Sequence, residues 1–115
     1  MNLNYFKQTR ILDGGMGQEL LARGMKPNGT LWSANALLDK DYHQLLLDTH
    51  RDFVKAGAEV IVTTTFTARR KRLRENNVEE KFEYLNKKAG EIALAVKKEF
   101  PNILVAGGIP PQNLT

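Results

Sequence analysis

Residues 59–65, Glu-Val-Ile-Val-Thr-Thr-Thr, form the clearest strand in this sequence, because every residue after the glutamate is β-branched. Side chains alternate along a strand, which gives it two faces. One face consists of Val60, Val62 and Thr64, and the other consists of Ile61, Thr63 and Thr65. The valine face suits packing under helices, and in a barrel the threonine face would point inward, toward a ligand. From the alternation alone, however, we favour the interpretation that threonine is simply a good strand residue.

Two long helices and two further strands surround this strand in the chain. Apolar residues recur every three or four positions at 41–56 and at 78–100, which predicts two helices that each bury one stripe. Short apolar runs at 11–12 and 103–106 predict the other strands. The order strand, helix, strand, helix, strand implies a parallel α/β sheet, whose ligands bind at the carboxyl ends of the strands. No linker or repeat divides the chain, so we expect one domain over residues 1–115.

The composition is that of a globular protein rather than a disordered one. The 115 residues include 17 Lys and Arg against 13 Asp and Glu, a net charge of 17 − 13 = +4 with both histidines neutral. The absence of cysteine excludes disulfides, thiolate metal ligands and a cysteine nucleophile. No apolar run approaches the roughly 18 residues of a membrane span, and the first ten residues are too polar for a signal peptide. We therefore expect a cytoplasmic protein with no membrane partner.

Residues 13–17, Asp-Gly-Gly-Met-Gly, end the first predicted strand in a sharp turn. Amides exposed by such a turn can hold an anionic group, and the Asp13 carboxylate beside them can hold an ammonium. Together these groups match a zwitterionic amino acid, although a plain Asp-Gly turn explains the same residues. The glycine spacing is neither that of a dinucleotide-binding fingerprint nor that of a P-loop.

The histidines and the basic run favour structural roles. His43 and His50 lie seven residues apart, whereas a metal pair on a helix needs a spacing of about four. We predict a hydrogen-bonded core histidine at 50 and an exposed one at 43. Residues 69–74 carry five basic side chains, and such a run can bind nucleic-acid phosphates. It contains no aromatic residue for base stacking and glutamates follow it closely, so we expect a solvated helical surface and no nucleic-acid partner.

Four ordered motifs resemble the N-terminal part of the homocysteine S-methyltransferase family. They are residues 11–17 (Ile-Leu-Asp-Gly-Gly-Met-Gly), 31–34 (Leu-Trp-Ser-Ala), 50–61 (His-Arg-Asp-Phe-Val-Lys-Ala-Gly-Ala-Glu-Val-Ile) and 63–68 (Thr-Thr-Thr-Phe-Thr-Ala). The resemblance covers nearly the whole chain. It implies a (β/α)8 TIM barrel that methylates homocysteine to methionine, in which a zinc ion held by three cysteines binds the substrate sulfur as a thiolate.

The same resemblance implies which residues bind substrate. Asp13, Gly14 and Gly15 match the segment that holds the amino-acid end of homocysteine. Thr63 matches a threonine that lines the same pocket, and Thr65 lies on the same face of the strand. No catalytic residue and no metal ligand is expected within this chain.

A barrel of this kind needs about 250 residues, so 115 residues supply fewer than four of its eight units. We therefore expect an incomplete (β/α)8 TIM barrel, with the first three parallel strands and their helices. In the family, the zinc cysteines and a carboxylate that binds the substrate amine would lie beyond residue 115. Because the chain has no cysteine, it holds no zinc site of its own and is expected to be inactive alone.

The function that follows is a truncated homocysteine S-methyltransferase, arising from a truncated gene, a split gene or a partial sequence. The full-length family member would take its methyl group from S-methylmethionine or S-adenosylmethionine. Thr67 stands where some relatives use an aromatic residue near the donor, which argues against betaine. Alternatives are a non-catalytic remnant, or a half-barrel module that pairs with a C-terminal partner or with itself. A further alternative is a small basic nucleic-acid-binding domain that uses residues 69–74.

Overall fold

A computed structural model describes residues 3–108 of this chain, and the predictions for residues 1–2 and 109–115 lie outside the described residues. The α-helices are α1 (Met16–Ala22), α2 (Asn35–Leu38), α3 (His43–Lys55), α4 (Arg70–Glu75) and α5 (Phe82–Glu99). The strands are β1 (Val60–Val62) and β2 (Leu104–Ala106). Short 3-10 helices lie at Leu3–Lys7, Trp32–Ala34, Lys40–Tyr42 and Glu79–Lys81.

The sheet is parallel, and its segments lie side by side in chain order. Val60 of β1 pairs with Leu104 of β2, and Leu12 bridges Val60 from the other side, also in parallel. The predicted parallel α/β arrangement is therefore confirmed, but the first predicted strand is reduced to this single bridge. The reason is that only Ile11 and Asp13 exchange backbone hydrogen bonds with Val60 before the chain turns away.

The face of β1 that meets the helices is the opposite of the predicted one. Ile61 is fully buried in a cluster with Ala93 and Val96 of α5, whereas Val62 lines the cleft described below. The prediction that the valine face packs under the helices is therefore wrong. Val60 and Ile61 are both buried, and a strand that is buried on both faces carries no alternation of polarity from which its orientation could be read.

The helix α5 carries the apolar stripe that the sequence predicts. Its buried residues are Leu85, Ala89, Ile92, Ala93 and Val96. It begins later than the predicted residue 78, because residues 79–81 first form a 3-10 turn. The helix packs on α3 and on β2, which makes α3 and α5 the helical cover of the sheet. Within residues 3–108, no helix combines the length and the apolar character that crossing a membrane requires.

Both outer edges of the sheet are open. On one side, Ile11 is 57% exposed and Leu12 is 60% exposed. On the other side, β2 is the last strand and is only half-buried. Among residues 3–108 no further strand pairs with either edge. Unpaired strand edges of this kind favour association with additional strands.

Replacing Leu85 with alanine tests the packing of α5. Leu85 is fully buried in the main core, so the Leu85→Ala variant should lose about 2–5 kcal/mol in the free energy of unfolding. Leu94→Ala on the same helix is the matched control, because Leu94 is 59% exposed. Urea unfolding followed by circular dichroism measures both variants. Equal losses would contradict the orientation of α5.

Candidate functional site

A cleft opens at the carboxyl ends of the strands and encloses about 390 Å³. Its walls come from the turn after the Leu12 bridge, the Trp32–Ala34 turn, the residues that follow β1, and one residue of α4. The lining residues are Asp13, Gly14, Gly15, Met16, Gly17, Gln18, Trp32, Ser33, Val62, Thr63, Thr64, Phe66, Thr67 and Arg72. The structure therefore brings four of the five predicted site residues, Asp13, Gly14, Gly15 and Thr63, to one cleft.

Asp13 lies on the cleft wall and also completes the sheet. Its backbone N–H donates to the Val60 carbonyl at 3.1 Å, and its Oδ2 accepts from the Val62 N–H at 3.1 Å. The carboxylate thus replaces the backbone carbonyl that would have formed the next rung of the ladder. Burial raises the pKa of the Asp13 carboxyl, and the hydrogen bonds from the Val62 amide and its own amide oppose that shift.

Gly14 and Gly15 form an exposed stretch of backbone beside this carboxylate. A Cβ at Gly14 would lie 2.9 Å from Cε1 of Phe53, so any larger residue must displace the Phe53 ring. Gly15 has an extended conformation and precedes the first residue of α1. Close packing on α3 is thus a structural reason for the first glycine, and the absence of side chains leaves the backbone amides accessible from the cleft.

Thr63 and Thr65 tie the end of β1 to the residues that follow β2. Their Oγ1 atoms lie 3.2 Å apart. Thr65 Oγ1 donates to the Gly108 carbonyl at 2.8 Å, and the Gly108 N–H donates to Thr63 Oγ1 at 3.3 Å. Thr63 lines the cleft, whereas Thr65 does not. Thr65 therefore supports the wall through its contact with Thr63.

Thr64 links the cleft to the core, because it lines the cleft while its Oγ1 lies 3.3 Å from Nε2 of His50. His50 is fully buried, which confirms the predicted core histidine, and its Nδ1 has no hydrogen-bond partner within residues 3–108. Burial lowers the pKa of His50 to about 4, so the ring is neutral at pH 7. The predicted exposure of His43 is wrong, because its ring is half-buried with Nε2 2.7 Å from the Leu37 carbonyl.

One arginine of the basic run reaches the cleft, which the sequence analysis did not predict. The Arg72 side chain is only 12% exposed, and its Nη1 donates to the Thr30 carbonyl at 2.8 Å. The predicted solvated surface is therefore wrong for Arg72, although Arg74 and its partner Glu79 fit it. Leu73, the only apolar residue of the run, is fully buried, but adjacent residues of a helix do not share a face, so it gave no signal for Arg72.

Two exposed aromatic rings border the cleft. Trp32 is 52% exposed and Phe66 is 53% exposed. Trp32 has φ 51°, a left-handed conformation that is uncommon outside glycine. Thr67 holds this turn at both ends, since its Oγ1 donates to the Leu31 carbonyl at 2.6 Å and accepts from the Ala34 N–H at 3.1 Å. Backbone strain that is kept at an exposed ring beside a cleft is typical of a binding site.

A parallel α/β fold with a cleft at the carboxyl ends of its strands is typical of α/β proteins that bind small ligands at that edge of the sheet. The family model for homocysteine S-methyltransferase matches residues 10–115, so the chain belongs to the homocysteine S-methyltransferase family.

Individual relatives agree with this assignment. The homocysteine S-methyltransferase of Escherichia coli (strain K12) is 32% identical over 109 residues, which cover 88% of this chain and 34% of that protein. Homocysteine S-methyltransferase 2 of Zea mays is 36% identical over 91 residues, which cover 78% of this chain and 26% of that protein. The crystal structure of the E. coli homocysteine methyltransferase MmuM in its metallated form matches with a TM-score of 0.78 at 30% identity. That match covers 95% of this chain and 40% of the E. coli chain.

The chain thus spans between about a quarter and two-fifths of the length of these relatives. The resemblance implies a zinc ion held by cysteines, and the matched E. coli structure is a metallated form. This sequence contains no cysteine, and within residues 3–108 no three His, Asp or Glu side chains cluster in a way that could hold a metal ion. The residues of this segment therefore do not fit the family's zinc site.

Acidification should destabilise the fold through His50. Its pKa of 6.5 in the unfolded chain becomes about 4 in the fold, so its stabilising contribution is complete above pH 6.5 and is lost as the pH falls from 6.5 toward 4. This difference corresponds to about 3 kcal/mol. Urea unfolding at a series of pH values should show a correspondingly smaller pH dependence in His50→Gln. The carboxyl groups titrate in both proteins, so identical pH profiles would contradict burial of a neutral His50.

Dialysis should leave this chain without stoichiometric zinc, because it offers no thiolate ligands. Elemental analysis of the dialysed chain measures the zinc-to-protein ratio, and the E. coli relative, treated in the same way, is the positive control. One zinc ion per chain after dialysis would contradict the prediction.

Proposed function

We propose that this chain supplies the homocysteine-binding wall of a homocysteine S-methyltransferase. The complete enzyme transfers a methyl group from S-methylmethionine or S-adenosylmethionine to homocysteine and so forms methionine. Family membership supports the reaction class. The observation that carries the proposal is the half-buried Asp13 carboxylate, which lies beside exposed glycine backbone on the wall of a cleft at the strand ends.

Asp13 binds the ammonium group of homocysteine in this proposal. Its Oδ2 is held by the Val62 N–H, which orients the carboxylate without neutralising its charge. A fixed, partly desolvated anion binds a cation more strongly than a mobile surface anion does. The exposed backbone of Gly14 and Gly15 binds the substrate carboxylate. Thr63 contacts the bound amino acid, and Thr65 positions the Thr63 side chain.

The reaction transfers a methyl group from one sulfur compound to another. The thiolate sulfur of homocysteine attacks the methyl carbon of the sulfonium donor, a new S–C bond forms, and the donor's S–CH₃ bond breaks to leave a neutral thioether. The thiol proton must be lost before the attack. In this proposal, residues 3–108 bind and orient the substrate. We also propose that the chain alone is inactive, because it lacks the cysteines that the resemblance to the family implies for activating the substrate sulfur.

The aromatic rim is the proposed contact for the positive sulfonium group. Trp32 and Phe66 both line the cleft and both expose about half of their surface. The face of an aromatic ring attracts a cation, and tryptophan does so most strongly. A sulfonium donor therefore fits this rim.

A half-barrel that needs a C-terminal partner is the second candidate, and the open sheet edges at Leu12 and β2 favour it. In either form, the remaining barrel units come from a longer protein of which this sequence is a part or from another chain. The nucleic-acid alternative is less favoured, because Arg74 is paired with Glu79 and the Arg70 guanidinium lies 4.2 Å over the ring of Phe82.

Replacing Asp13 with asparagine tests the binding role while it retains an oxygen acceptor for the Val62 N–H. The Asp13→Asn variant should bind homocysteine about ten-fold more weakly or worse, because a charge-assisted hydrogen bond contributes about 1.5–3 kcal/mol. NMR titration of the chain with homocysteine measures the affinity.

The matched control is Asp52→Asn, which removes a carboxylate paired with Arg23 on the exposed side of α3. It should leave the affinity unchanged. A second control is 4-mercaptobutanoate, which is homocysteine without its amino group, and its weaker binding should not depend on Asp13. Normal homocysteine affinity in a folded Asp13→Asn variant would remove the substrate-binding proposal.

A further inference from the structure

We propose that Arg72 binds the α-carboxylate of the sulfonium donor. The inference rests on the proposed function, because it concerns the second substrate of the same cleft. It starts from the position of Arg72, which lines the cleft together with Trp32 and Ser33 although it belongs to a basic run on α4.

The ion pair of Arg72 is longer than that of Arg74 on the same helix. Arg74 forms two hydrogen bonds to Glu79, at 3.2 Å and 3.0 Å. Arg70 lies over an aromatic ring. Within residues 3–108, the only carboxylate in ion-pair range of Arg72 is that of Glu75, and its oxygen is 4.0 Å from Nε. An arginine side chain that is only 12% exposed and has so distant a counter-ion favours the approach of an anion.

The guanidinium is also held in place. Its Nη1 donates to the Thr30 carbonyl, and Asn76 fastens the same loop to α4. The Asn76 side chain accepts from the Thr30 N–H at 3.1 Å and donates to the Arg72 carbonyl at 2.9 Å. Because one nitrogen serves the loop, the remaining N–H groups of the fork are available for an oxyanion. A carboxylate matches that fork geometry.

The distribution of charge along the cleft indicates which of the two substrates carries the carboxylate that Arg72 binds. Asp13 and the glycine turn account for both ends of homocysteine. The other wall combines the rings of Trp32 and Phe66 with the side chain of Arg72, which also lines the neighbouring hollow at Thr30 and Glu75. A sulfonium beside a guanidinium is repelled, so the donor must turn a negative group toward Arg72. An α-carboxylate separated from the sulfonium by a short carbon chain meets both requirements, and S-methylmethionine and S-adenosylmethionine share it.

Binding titrations of this chain with four ligands test the inference. The ligands are homocysteine, S-methylmethionine, S-adenosylmethionine, and the decarboxylated analogue of S-methylmethionine. Arg72→Gln should weaken the binding of a carboxylate-bearing donor about ten-fold or more. It should leave homocysteine and the decarboxylated donor unaffected. Arg74→Gln, on the same helix but paired with Glu79, is the matched control and should change none of the four affinities. A loss confined to one of the two natural donors supports the inference and identifies that donor.

Loosening of the loop at Thr30 is a competing explanation for weaker donor binding in Arg72→Gln. The Asn76→Ala variant distinguishes this explanation from loss of the guanidinium. This variant removes the Asn76 bonds to Thr30 but keeps the guanidinium. A donor loss in Asn76→Ala as large as that in Arg72→Gln would overturn the inference, and so would an equal loss of homocysteine affinity in Arg72→Gln. If homocysteine binding depends on Asp13 but the donor affinity is unchanged in Arg72→Gln, only this inference fails. If the unmodified chain binds no homocysteine, the proposed function fails with it.

Discussion

The hydrogen bond from the Val62 N–H to the Asp13 carboxylate joins the two sides of the cleft. It lies where the chain leaves the sheet after the Leu12 bridge. Without an acceptor there, a partly buried backbone amide would be left unpaired at a cost of about 1–3 kcal/mol. Because a side chain forms this rung, the backbone of Gly14 and Gly15 is free to turn across the cleft mouth. The short first strand, the glycine turn and the anion on the wall all depend on this contact.

Threonines after β1 likewise hold the other walls of the cleft by side-chain hydrogen bonds. Thr64 reaches back to the buried ring of His50, and Thr67 holds the strained turn that presents Trp32. Thr63 and Thr65 bond to each other and to Gly108. Each hydroxyl bonds to a backbone or side-chain atom of a neighbouring segment. The cleft is thus formed by loops that polar side chains hold rigid, and this rigidity is what a binding site requires.

The proposals divide the work of the reaction between binding and activation. Asp13 and Arg72 lie on the walls of one cleft, and each is held by a backbone group that does not neutralise its charge. Under these proposals, this segment orients both amino-acid ligands without any metal ligand. The sulfur chemistry then belongs to residues that this sequence does not contain, which agrees with a chain that matches about a third of its E. coli relative and has no cysteine.

Local pattern predicted the elements of this protein, and the resemblance to the family predicted its candidate site. The strand at β1, the stripe on α5 and the turn at Asp13 depend on neighbours in the chain, although the strand ends at Val62 and not at the predicted Thr65. Tertiary packing decided the rest, because it depends on residues far apart in sequence. Ile61 faces the helices since α5 covers that side, and Arg72 lines the cleft while its Nη1 bonds to the Thr30 carbonyl, 42 residues away in the sequence.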